Sequence, residues 1–165
     1  MRIGYGFDSH EFRAGIPLKI GGITLPHDKG LGGHSDGDVL LHAITDALLG
    51  AIAAPDIGAL FPPSDPRWKD ADSAIFLREA LKRVAQAGYE VANIDSSLIL
   101  AAPKIGPHAT AIRAKTAELL GIPGDCVGLK AKTPEGLNLE NAAIAHVTVL
   151  LERSPNSKRS SRKKK

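Results

Sequence analysis

Apolar and polar positions alternate from Arg2 to His10, the period of a strand, and the segment ends in polar residues. PLKIGGITLP then sets two short apolar runs on either side of Gly21-Gly22. A two-residue turn needs positive φ at its centre, which glycine supplies, so this pattern predicts a hairpin. HDKGLGGHSDGD reads as a glycine-rich loop ending in Ser35, Asp36 and Asp38, any of which can cap a helix. From Val39 to Ala53 the residues Leu40, Leu41, Ile44, Leu48 and Ile52 recur at helical spacing, and Pro55-Asp56-Ile57-Gly58 stops them.

ALFPPSDPRWKDADS, with its prolines, reads as an irregular loop of the kind that builds sites. Ser73 starts a second amphipathic helix through Ile75, Leu77, Ala80, Leu81 and Val84, and Gly88 closes it. Asn93 to Ala101 reads as a strand, His108 to Leu120 as a third helix, and Val127 to Lys132 and Ala143 to Leu151 as the last two strands. Too few helices cross between strands for a doubly wound fold. The order predicts an α+β protein: a mixed four-stranded sheet with helices on one face, plus the hairpin.

Composition sharpens this picture in a few places. Hydrophobic residues at 43% and charged ones at 24% mark a globular chain, and 165 residues make one domain, expected over 1–153. Aromatics are only 4%, too few for platforms that stack single-stranded nucleic acid. Six of the 21 Lys and Arg residues lie in the last eight positions, which leaves 15 bases against 18 acids, a net −3, for residues 1–157. The body is mildly acidic, and SPNSKRSSRKKK, residues 154–165, reads as a basic disordered tail. One cysteine, Cys126, allows no intrachain disulfide and no cysteine-built zinc site. MRIGYGFDSH is too short and polar for a signal peptide, and no run reaches membrane-spanning length, so a cytoplasmic protein is expected.

Asp8 and His10 stand two apart at a strand end, so their side chains share a side. His42 lies one turn into the first helix. Two histidines and a carboxylate suffice for a catalytic zinc, with the fourth position left to water or substrate. D-x-H is common by chance, and a histidine on an apolar helix is often a core residue, so spacing alone leaves this open. His34 precedes the same helix N-terminus, where backbone N–H groups favour phosphate.

RIGYGFDSH, GLGGHSDGDVLLHAITDALLGA, DIGALFP, DPRWKDADS, APKIGPH and KAKTPEGL follow one another in this order. Together they resemble the 2-C-methyl-D-erythritol 2,4-cyclodiphosphate synthase family of the non-mevalonate isoprenoid route, from Arg2 to about Leu151. The resemblance implies a phosphorus-oxygen lyase acting on 4-diphosphocytidyl-2-C-methyl-D-erythritol 2-phosphate. It implies a homotrimer with sites between subunits, with no membrane or nucleic-acid partner. By that likeness Asp8, His10 and His42 look like zinc ligands, and Glu135 like the ligand of a second divalent cation, Mg²⁺ or Mn²⁺. His34 and Thr133 match positions that hold the reacting phosphates, with Ser9 and Ser35 beside them. Asp46, one turn beyond His42, is placed to orient it. Asp56, Ile57 and Gly58 match the grip on the erythritol hydroxyls, with Phe61 and Asp65 in the next loop. Leu100, Ala102, Pro103, Lys104, Ile105, Gly106, Ala131, Lys132 and Thr133 match the cytidine diphosphate pocket, and Leu139 also falls at a substrate-contact position.

The chain departs from that pattern after Leu137. Asn138-Leu139-Glu140-Asn141-Ala142-Ala143 replaces a longer glycine-rich run that carries an arginine, which puts a phosphate ligand on the trimer axis in doubt. Lys132 adds a positive charge where many relatives have threonine, and Pro63 stands where aspartate is common. No metal ligand is lost. A zinc-binding homologue without activity, and an RNA-touching tail, remain as competing readings.

Overall fold

The computed structural model describes residues 1–155. Strand β1 (Arg2–Ala14) is the spine of the site. Its Gly4, Gly6 and Phe12 are buried, while Ile3, Tyr5 and Phe7 point outward and stay exposed. The hairpin follows as β2 (Leu18–Ile20) and β3 (Ile23–Leu25), paired Ile20 to Ile23 around a turn in which Gly21 has φ +64° and Gly22 φ +80°. Both central residues therefore sit where only glycine is unstrained.

Next come β4 (Lys29–Leu31), α1 (Val39–Ala51), the single turn α2 (Ile57–Leu60) and α3 (Ala74–Gln86). Then β5 (Tyr89–Leu100), α4 (Ala109–Leu120), β6 (Val127–Lys132) and β7 (Ala142–Arg153) complete the described chain. The main sheet runs β4-β1-β7-β5-β6, antiparallel throughout except for β5 beside β6, which α4 connects as a crossover.

The sheet thus has five strands, not the four expected. The extra one, β4, is three residues long with Gly30 at its centre, so it carries no readable alternation. It exists because β1 runs four residues past His10 and pairs Phe12 with Leu31 and Ala14 with Lys29. The expected basic tail begins at Ser154, whose N–H reaches the Gly88 carbonyl (3.0 Å), and from residue 156 onward it lies outside the described residues.

α1 lies directly on β1 and β7. A Cβ at Gly4 would sit 1.8 Å from the Ala47 carbonyl oxygen, and one at Gly6 1.9 Å from that of Ala43. The two glycines and the facing alanines let backbone touch backbone. Leu40, Leu41, Ile44, Leu48 and Leu49 of α1 are essentially fully buried with Ala143, Ala145, Val147 and Val149 of β7. Each such leucine or isoleucine contributes about 1.5–3 kcal/mol by burial.

Asp38 joins hairpin and helix. Its carboxylate caps α1 at the Leu41 N–H (3.0 Å) and accepts from the turn amides of Gly21 (2.9 Å) and Gly22 (2.7 Å). It is completely buried, and those three donors offset only part of the cost of removing the carboxylate from water, so burial still holds its pKa above the ordinary value.

Candidate metal centre and substrate pockets

Asp8 and His10 lie on the helix side of β1, and His42 comes down from α1 at the place where glycines bring the helix closest. The three converge. His10 Nε2 is 2.9 Å and His42 Nδ1 3.0 Å from Asp8 Oδ2, and the two ring nitrogens are 3.1 Å apart. One carboxylate and two imidazoles at these separations make the donor set of a tetrahedral divalent cation with an open fourth position.

The charge of Asp8 and the orientation of the His10 ring favour this use. His10 Nδ1 lies 2.5 Å from the Gly32 carbonyl, which can only accept, so Nδ1 carries the proton and Nε2 faces the cluster. Asp8 Oδ1 accepts from the Ser9 N–H at 2.8 Å, which fixes the carboxylate plane. Burial alone would raise the Asp8 pKa, but hydrogen bonds and charge from His10 and His42 outweigh it and hold the carboxyl well below its ordinary range. For His10 burial acts to lower the pKa. The Asp8 hydrogen bond and charge, with the Gly32 carbonyl, overcome it and raise the value above 6.5.

The cluster opens into a pocket of about 180 Å³ lined also by His34, Ser35, Ile57, Gly58, Phe61, Pro63, Trp68 and Phe76. The rings of Phe61 and Phe76, tilted 39° with centroids 4.6 Å apart, form its apolar wall. His34 Nε2 reaches the Asp65 carbonyl at 3.4 Å, at the rim. A second, larger pocket of about 540 Å³ lies at the carboxyl ends of β5 and β6. Leu100, Pro103, Lys104, Ile105, Gly106, Ala131, Lys132, Thr133 and Glu135 line it, and the Thr133 hydroxyl donates to the Glu135 carboxylate.

The two pockets share no residue. Across the sheet Asp8 pairs with Ala145, Ala145 with Leu98 and Leu98 with Ala131, three strand spacings or roughly 14 Å. The structure therefore brings the zinc-type residues together with His34 and Ser35, and Thr133 together with Glu135, but keeps the two groups apart.

Other expected residues fall differently. Asp56 caps α2 at the Ala59 N–H (2.8 Å), and Asp65 caps the 3₁₀ turn at the Arg67 N–H (3.0 Å) and pairs with the Arg67 guanidinium, so both carboxylates are already engaged. Ser9 points to the outer sheet face, opposite Asp8, and Ala102 and Leu139 line neither pocket. Asp46 does not hold His42: its carboxylate accepts from the Ile57 N–H at 2.8 Å and so positions the Ile57-Gly58 turn. His42 Nε2 instead meets the hydroxyls of Ser73 (2.8 Å) and Ser35 (3.0 Å). In the sequence Ser73 reads only as a helix start, and nothing in its spacing from His42 signals the contact.

Fold and site together define the class: an α+β protein with a three-donor candidate metal centre at the mouth of a pocket. The YgbB family profile matches residues 1–152. A protein of Koribacter versatilis (strain Ellin345), 2-C-methyl-D-erythritol 2,4-cyclodiphosphate synthase, is 67% identical over 93% of this chain and 99% of its own length. The chloroplastic enzyme of that name from Oryza sativa subsp. japonica is 55% identical over 92% of this chain and 70% of its own. A solved structure of a 2C-methyl-D-erythritol-2,4-cyclodiphosphate synthase superposes with TM-score 0.87 at 46% identity, covering 92% of this chain and 100% of that one. A CDP-bound form also gives 0.87, at 44% identity. The chain belongs to the YgbB family, the 2-C-methyl-D-erythritol 2,4-cyclodiphosphate synthases, and is an enzyme of that family.

Proposed function

We propose that this enzyme converts 4-diphosphocytidyl-2-C-methyl-D-erythritol 2-phosphate to 2-C-methyl-D-erythritol 2,4-cyclodiphosphate and CMP. A 2-phosphate oxygen bonds to the β-phosphorus while the bond from that phosphorus to the CMP oxygen breaks, and CMP leaves with the electron pair. The observation that carries the reading is the Asp8–His10–His42 cluster opening into a pocket shared with His34, Ser35 and Ile57-Gly58. Zinc on Asp8, His10 and His42, and Mg²⁺ or Mn²⁺ on Glu135, would supply Lewis-acid polarisation and charge neutralisation.

The chain's own residues do the positioning. The smaller pocket fits the branched polyol phosphate, with the Ile57-Gly58 turn against its hydroxyls. The larger one suits a nucleotide, with Lys104 and Lys132 as cations for the diphosphate and the Pro103–Gly106 loop beside the base. His34 and Ser35 hold the attacking phosphate, and the Thr133 hydroxyl holds an oxygen of the phosphate under attack. Two anionic groups are brought into line, and no protein nucleophile is required.

Because one chain separates the two pockets, we place the working site between subunits of a homotrimer. The outer sheet face supports this: Ile3, Tyr5 and Phe7 are exposed there, alongside the half-buried Ile99, Ile144 and Leu150. The lone free thiol, Cys126, fits a reducing, cytoplasmic setting. Among the described residues no helix is long and apolar enough to cross a membrane.

CMP release from the diphosphocytidyl substrate, with Zn²⁺ and Mg²⁺ supplied, tests the reading. His42→Ala is expected to abolish release, and Thr133→Ala to slow it about 100- to 1,000-fold, as for loss of one charge-stabilising donor. Wild-type release no faster than His42→Ala would sink it.

A further inference from the structure

Ser73 occupies the N-cap position of α3, where a serine hydroxyl ordinarily accepts from the first-turn amides, yet it makes no capping hydrogen bond. The Ala74 N–H is served instead by Asp72 Oδ1 at 2.8 Å. The Ser73 side chain, fully buried, turns away from its own helix and lies 2.8 Å from His42 Nε2 and 2.5 Å from Asp36 Oδ1. Asp36 Oδ2 in turn accepts from Lys19 Nζ on β2 at 3.1 Å.

We infer that Lys19, Asp36 and Ser73 form a positioning relay that holds His42 in the tautomer and orientation able to bind zinc. The direction of each hydrogen bond follows from chemistry. The ammonium of Lys19 can only donate, so Asp36 accepts from it, and an ionised Asp36 can only accept from Ser73. The single hydroxyl hydrogen of Ser73 is then committed to Asp36, and its oxygen is left to accept from His42 Nε2–H. The nitrogen of His42 left for a metal is Nδ1, the atom 3.0 Å from Asp8 Oδ2 and facing His10. A carboxylate polarising a metal-bound imidazole is a common arrangement; here a buried hydroxyl stands between the two. Asp36 stays ionised because Ser73 and Lys19 together outweigh the burial that would raise its pKa.

The geometry also explains an anomaly. Forgoing a cap makes little sense for stability alone, and becomes sensible if the hydroxyl serves another partner. Ser35, 3.0 Å from the same nitrogen, lies on the pocket side and is free to turn toward a bound phosphate.

The inference rests on the triad binding zinc, and the test keeps the two apart. Zinc affinity is measured by competition with a chromophoric chelator, and the Co²⁺-substituted protein gives a d–d spectrum. Both are recorded for wild type, Ser73→Ala, Asp36→Asn and Thr45→Ala, with circular dichroism to check folding. Thr45 is a control of equal depth: its buried hydroxyl bonds only the Leu41 carbonyl of its own helix. Ser73→Ala is expected to lose about 10- to 100-fold in zinc affinity with shifted Co²⁺ bands, and Asp36→Asn to move both the same way by less. Thr45→Ala is expected to leave both unchanged. The relay is overturned if folded Ser73→Ala and Asp36→Asn bind zinc within about twofold of wild type with unchanged spectra. It is also overturned if Thr45→Ala weakens zinc as much as they do. Should Ser73→Ala not fold, Asp36→Asn decides. Wild type that binds no zinc refutes the triad reading itself.

Discussion

Asp36 shows how one side chain links site and stability. Its folded pKa lies below the ordinary 3.8, so its contribution is fully present above about pH 4 and is lost as acid protonates it through the lowered value. Replacing it with asparagine removes the ion pair with Lys19 and weakens the Ser73 bond. Asp36→Asn should therefore cost about 1–3 kcal/mol in urea unfolding at pH 7, with a smaller deficit near pH 3. An equal deficit at both pH values would show that its charge plays no part. The same scale explains why Asp46 misleads in the sequence. It stands one turn along from His42, yet its carboxylate is taken by the Ile57 amide, and the histidine is held by a serine thirty-one residues away.

At the level of elements, the placement of His42 depends on how closely α1 approaches β1. The contact is set by Gly4 and Gly6 against Ala43 and Ala47, and neither glycine has room for a methyl group. Gly6→Ala should destabilise the fold by about 3 kcal/mol through overpacking and weaken zinc binding, because the helix must move off the strand that carries Asp8 and His10. Urea midpoints together with chelator competition check both effects; unchanged zinc affinity would detach the close contact from the site. Asp38 is the second joint of this kind. Asp38→Ala orphans the amides of Gly21, Gly22 and Leu41 at once and should cost roughly 3 kcal/mol or more, read by thermal melting. A loss below 1 kcal/mol would mean that water replaces the carboxylate at little cost.

For the whole molecule, the decisive feature is the roughly 14 Å of sheet between Asp8 and Ala131. In the proposed trimer a second chain brings the two pockets together, and the exposed row of Ile3, Tyr5 and Phe7 offers it an apolar surface. Phe7→Asp, on the outer face between Gly6 and Asp8, should convert the proposed trimer to monomer in sedimentation and abolish CMP release. Zinc affinity should stay near wild type, since Phe7 faces away from the cluster. A monomeric variant that still released CMP at the wild-type rate would remove the intersubunit site.

The single turn α2 and the parallel pairing of β6 came from the structure, while the sequence by itself determined the three long helices, the hairpin and the existence of β6. Each is written in local terms: Leu40, Leu41, Ile44 and Leu48 at helical spacing, Gly21-Gly22 between two apolar runs, and Gly88 ending α3. Its motifs also carried the family and the identities of Asp8, His10 and His42. Tertiary structure decided what local pattern cannot encode. β4 became a strand only because β1 extends to meet it. Asp38, rather than Ser35 or Asp36, became the cap because the hairpin turn delivers two more amides to the same carboxylate. The partner of His42 was settled by the packing of α3 against α1, since a hydroxyl contact between residues 42 and 73 depends on how two helices cross and leaves no period in the chain.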